Sequence, residues 1–310
     1  MSTEGGTRAV VAALCANLGI AASKFVAFAF TGSASMLSEA IHSVADSGNQ
    51  VLLLVGARRA RRPATQRHQF GHGRRRYLYS FIVAIVLFLV GGMYSLYEGL
   101  HKVQHPEPVQ DAWIAYLVLG IAIVLEAFSF RTAIREANRA RGDRSLARYL
   151  RDARQPELPV VLLEDLGALV GLVLALLGVT VAVVTGDGRW DGLGAMSVGF
   201  LLVVIAIFLA FETAAMLVGE SALPEEQAAI ESALAASPVV VRVIHLRTVH
   251  VGPDELLVAA KIAVRDTSSA AQIAAGIDDA ERALREAVPS AVYVYLEPDL
   301  DRGGSAVERR

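Results

Sequence analysis

Six apolar runs, each long enough to cross a bilayer, constrain this chain more than any other feature of its sequence. A membrane-spanning helix needs roughly 20 mostly apolar residues at about 1.5 Å of rise apiece. Residues 9–31, 34–57, 78–101, 112–133, 158–184 and 191–218 all meet that length. The 310 residues are 54% hydrophobic and only 19% charged, a balance that suits an integral membrane protein. The opening MSTEGGTR holds a single arginine before the first run, so an uncleaved first helix is expected. Cys15, the only cysteine, lies inside that run and leaves neither a disulfide framework nor zinc-finger spacing.

Arginines orient the runs. Eight fall between Arg58 and Arg76, in the link from the second run to the third, and eight more between Arg131 and Arg154, in the link from the fourth to the fifth. The alternate loops GSAS, KVQHPEPVQD and TGDGRWD are poor in basic residues. The positive-inside rule therefore puts both arginine-rich links and both termini in the cytoplasm. A multi-pass protein of the plasma (inner) membrane is expected, with the arginines also meeting anionic lipid headgroups.

After Glu220 the runs shorten. Pro224 to Ala236 reads as a helix with proline at its start. Val239 to Val251 is rich in β-branched residues, and Leu256, Val258, Ala260, Ile262 and Val264 alternate with their neighbours as in a strand with one buried face. Ile273, Ile277, Ala280, Leu284 and Val288 recur at helical spacing, and AVYVYLEP alternates again. Helix, strand, strand, helix, strand over such a length predicts a small two-layer domain. The expected division is 1–218 for a membrane domain, 219–301 for a cytoplasmic domain and 302–310 for a disordered tail.

Ionisable residues inside spans face a bundle interior or a water-filled cavity and mark ion or proton paths. In SEAIHSVADSGNQ, Glu39, His42 and Asp46 are three, four and seven residues apart and share one helix face. The fifth run adds Glu164 and Asp165, adjacent and so about 100° apart around the axis. Glu126 and Asn17 are further polar residues at membrane depth, read as a structural or interfacial acid and a helix-helix hydrogen bond. Lys24 either neutralises an acid or reaches outward. Carboxylates with an imidazole make a mixed oxygen and nitrogen set suited to zinc and tolerable for manganese or iron(II). Such ligands bind metal only when deprotonated, so protons and metal compete and an antiporter follows. Nothing pairs a nucleophile with a base or forms a phosphate-binding glycine loop, which argues against an enzyme and against a prosthetic group. The arginine clusters lack interleaved stacking aromatics, which argues against nucleic-acid partners.

These residues carry a family resemblance. TGSASMLSEAIHSVADSGNQVLLLVGARRARRPAT and HQFGHGRRRYLYSFIVA, with their HSxxD, RRPA and FGHG motifs, resemble the second-helix signature and following loop of the cation diffusion facilitator family. The VLLEDLGALVG segment is similar to the branch that includes zinc transporter nine. The resemblance implies a six-helix membrane domain, a ferredoxin-like α+β cytoplasmic domain and a homodimer. It also implies proton-coupled efflux of a divalent metal by alternating access, through a site between the second and fifth helices. His42 and Asp46 fall on the family's first ligand pair and Asp165 aligns with the family's fifth-helix aspartate; beside them Glu164 is the other fifth-helix acid, and Glu39 and Asn17 are accessory candidates read from the residues themselves.

The chain also departs from the family pattern. Val161 stands where the second fifth-helix ligand belongs, so Glu164, Glu39 or water is expected to complete the shell. In the loop, His68 and His72 match family positions but Thr65 replaces an aspartate among arginines whose field opposes a dication. In the terminal domain His245 and Glu297 match ligand positions while Lys261 and Tyr295 replace histidines, predicting a reduced or absent metal site and a dimer held by packing. Two alternatives stay open: a metal-sensing or interaction subunit that has lost transport, and a proton-coupled carrier of another cation.

Overall fold

The computed structural model describes residues 3–31, 34–107, 112–265 and 267–300. The expected tail at 302–310 lies outside the described residues. Long helices account for the first two thirds of the chain: α1 (Thr3–Thr31), α2 (Ala34–Ala60), α3 (Arg75–Val86), α4 (Tyr94–Gln104), α5 (Ala112–Arg141), α6 (Leu146–Asp152), α7 (Glu157–Thr185) and α8 (Arg189–Val218). α3 and α4 are one helix interrupted by a π segment, Leu87–Met93, whose closing bond runs from Tyr94 N–H to Leu89 O.

Five of these stretches are long and apolar enough to cross a membrane: Thr7–Val26, Arg75–Gln104, Ala112–Arg141, Glu157–Thr185 and Arg189–Val218. α2 has the length, at 27 residues, but its serines, acids and amides keep it out of that group. The polar stripe that makes α2 interesting is what lowers its hydropathy. α6 lies in the second arginine-rich link and has no counterpart among the expected elements. Its seven residues are too few to show a period, and its start is fixed locally by Ser145 Oγ, which accepts from Arg148 N–H.

The chain divides into two compact units, one made of Met1–Arg62 and Arg75–Ala214, the other of Pro63–Arg74 and Ala215–Arg310. In the first, α1 packs against α2, α5 and α7, and α5 against α7. Their shared core includes Val10, Leu53, Val83, Ala133, Val161, Leu162, Leu202 and Leu209. Glycines let the helices approach closely. A Cβ on Gly99 would stand 2.6 Å from Met196 N and 2.7 Å from Gly192 O, so α4 and α8 meet backbone to backbone, as small residues allow in membranes. Arg76 and Glu157 form a buried ion pair at 3.2 Å between α3 and α7.

In the second unit α9 (Pro224–Ala235), β1 (Val240–Gly252), β2 (Glu255–Val264), α10 (Ala270–Ala287) and β3 (Ala291–Leu300) follow in the expected order. The sheet order is β1-β2-β3, with β1 antiparallel and β3 parallel to β2. Leu256, Val258, Ala260, Ile262 and Val264 form the buried face, against Ile230 and Leu234 of α9 and Ala280 and Leu284 of α10. Glu226 caps α9 by accepting from Leu223 N–H at 3.0 Å, and Ser269 and Gln272 form a reciprocal capping box on α10.

The loop Pro63–Arg74 belongs to this unit. Arg74 Nη2 donates to His250 O at 3.4 Å, and the Phe70 ring meets Tyr293 edge-on at 5.2 Å. Gly73 lies against the β1–β2 turn so closely that a Cβ there would stand 2.7 Å from Gly252 Cα.

Candidate functional site

The two adjacent acids of α7 point to different helices. Glu164 faces α2, where Asn49 Nδ2 donates to one carboxylate oxygen at 3.0 Å and Gln50 Nε2 to the other at 3.1 Å. Gln50 Oε1 in turn accepts from Asn17 Nδ2 on α1 at 3.3 Å. Asp165 faces α5, where Ser129 Oγ donates to its Oδ2 at 2.6 Å. Glu126, three residues before Ser129 on α5, lies near enough to Asp165 to act on it electrostatically. Asn49, Gln50, Glu164 and Asp165 are all buried.

Asp46 lies near enough to Glu164 and Glu126 to act on both electrostatically. It sits three residues before Asn49 and four before Gln50, so the three share a face of α2. Glu39 and His42 occupy the same helix, but their side chains lie outside the described residues. Val161 is fully buried in apolar core and offers no donor atom. Lys24 does not reach outward: it is buried, and its Nζ donates to Ser43 Oγ at 2.9 Å. Glu126 is likewise buried. Among the described residues, no three His, Cys, Asp or Glu side chains converge on one point.

Sequence reasoning named Asp46, Glu164, Asp165 and Asn17 here and missed Asn49, Gln50 and Ser129. Spacing could have found them. Asn49 and Gln50 extend the Glu39, His42, Asp46 stripe by another turn, and Ser129 follows Glu126 by three residues.

The second unit holds the remaining candidates. His68 and His72 rings lie 4.6 Å apart, in a loop where Thr65 and His68 pair through both backbone bonds, at 3.1 and 3.0 Å. His245, Lys261 and Glu297 are partners in one row across β1, β2 and β3. Lys261 Nζ lies 3.0 Å from Asp299 and 3.1 Å from Glu297. The Asp299 and Glu297 carboxylates raise the Lys261 ammonium above its usual range. An ammonium thus occupies the middle of the row, where it repels a second cation.

Comparison with known proteins also finds two domains along the chain. Residues 10–218 match the family described as cation efflux transmembrane domain, and residues 222–299 match cation efflux protein, cytoplasmic domain. The chain is similar to the proton-coupled zinc antiporter SLC30A9, mitochondrial, of Xenopus laevis, at 35% identity over 79% of this chain and 44% of that one. The human protein of the same name is 34% identical over 78% and 43%. The cation-efflux pump FieF of Pectobacterium atrosepticum is 25% identical over 94% of this chain and 92% of its own length. The chain therefore spans less than half the length of the SLC30A9 relatives.

Proposed function

Because the chain belongs to the cation efflux family and is a multi-pass membrane protein, we propose that it exchanges a divalent metal cation for protons. Zinc is the foremost cargo, with manganese and iron(II) accepted by the same ligand types. The observation that carries this reading is the buried meeting of α2 and α7. Glu164 is held from α2 by two amides within electrostatic reach of Asp46. His42, Asp46 and Glu164 bind the dication from the cytoplasm, with Asp165, bonded to α5, as the other acid of the site. Glu39 and Asn17 act as accessories. α2 completes a set of six spans, and both termini face the cytoplasm of a plasma (inner) membrane.

Alternating access then follows from competition. Metal binds only to deprotonated carboxylate and imidazole, so protons arriving on the far side displace it. A cargo shifts the conformational equilibrium only by its differential affinity for the two states. The cytoplasmic domain holds two protomers together. Purified protein in proteoliposomes should move zinc when a pH gradient is imposed and stop moving it when the gradient is collapsed. Asp46→Ala should abolish that flux, and undiminished flux in this variant would overturn the site. Competition among zinc, manganese and iron(II) in the same vesicles fixes the cargo.

A further inference from the structure

Asn49 uses only half of its carboxamide. Its Nδ2 donates to Glu164, which turns the carbonyl oxygen away from that acid, and among the described residues nothing donates to Oδ1. The side chain is 1% exposed. Gln50, beside it, has no such spare atom, because its nitrogen reaches Glu164 and its oxygen takes the Asn17 N–H. A buried carbonyl oxygen with no partner is costly in hydrocarbon surroundings. This one stands on the face of α2 that carries Asp46, one turn away.

We propose that Asn49 Oδ1 is a ligand of the transported dication, supplying the donor that Val161 withholds. The proposal rests on the reading of Asp46 and Glu164 as the cation site and adds a residue to it. A carboxamide oxygen is a neutral, hard donor that stays available whatever the pH, unlike a carboxylate or an imidazole. The shell becomes richer in oxygen, which favours manganese and iron(II) relative to a shell with a second imidazole. Its amide nitrogen meanwhile orients Glu164, so one side chain both binds the cargo and positions a neighbouring ligand.

The test measures equilibrium binding of zinc and of manganese to the full chain in detergent micelles, comparing Asn49→Leu, Asn49→Asp, Gln50→Leu and Asp46→Asn. Asn49→Leu should weaken binding by about tenfold or more, the scale of losing a group at a metal site. Asn49→Asp keeps an oxygen and loses the donor to Glu164, so it should restore most of that loss and raise the manganese-to-zinc preference. Gln50→Leu removes a donor to Glu164 but no spare oxygen, and should cost less than Asn49→Leu. If Asn49→Asp weakens binding as much as Asn49→Leu, the residue only positions Glu164 and the proposal fails. Unchanged affinity in a folded Asn49→Leu protein overturns it too. Asp46→Asn separates the two readings: if it leaves binding intact the site itself is wrong, whereas if it abolishes binding while Asn49→Leu does nothing, only the role of Asn49 falls.

Discussion

At Glu164 a carboxylate meets two carboxamides from a neighbouring helix, one on each oxygen. Hydrogen bonds to a charged group are worth about 1.5 to 3 kcal/mol in soluble proteins, and interhelical polar bonds in membranes average below 1 kcal/mol. Gln50→Leu should therefore cost about 1 kcal/mol of stability, read as a lowered thermal midpoint in detergent, since it breaks bonds to both Glu164 and Asn17. An unaltered midpoint would mean that water replaces the amide. Side-chain spacing made Asp46, Glu164 and Asp165 legible in the sequence, because charge inside a span is rare enough to stand out. Asn49 and Gln50 carry no charge and were passed over on the same helix face. Which of two adjacent acids faces α2 was not legible either, because it depends on the rotation of α7 about its axis, and that is set by packing.

Among the elements, the cytoplasmic strands were readable almost residue by residue. The alternation from Leu256 to Val264 reappears as the buried face of β2, since a half-buried strand leaves no freedom in its pattern. The π segment Leu87–Met93 was not readable. Its residues are as apolar as the turns around them, and a wider turn leaves no mark on composition. The loop Pro63–Arg74 was read through its histidines and arginines, whereas its closest contact is made by a glycine. Gly73→Ala forces a Cβ into the Gly252 backbone, which cannot swing aside as a side chain would, so about 1 to 3 kcal/mol of the loop's docking should be lost. Limited trypsin digestion at Arg67 and Arg74 should then run faster than in the wild-type protein. Equal rates would show that the turn yields.

For the molecule as a whole, apolar runs and arginine placement made the membrane class plain, and the family match spans 10–218 and 222–299. The proposed dimer rests on the second unit. Its central row carries Lys261 between carboxylates, and those carboxylates raise the ammonium's pKa, so the ion pairs hold wherever the two acids are ionised and are lost as pH rises through that raised value. No metal is needed to balance those acids. Chelation by EDTA should leave the dimer mass unchanged in light scattering, and a fall to monomer would contradict this. The spatial division has a last consequence, because the second unit is built from two pieces of chain that α3 to α8 separate in sequence. A fragment starting at Ala215 is thus an incomplete body, lacking Phe70 beside Tyr293 and Gly73 beside Gly252. Expressed alone it should melt lower than the same unit in the full chain, and a synthetic peptide of residues 63–74 added in trans should raise its melting point by complementation.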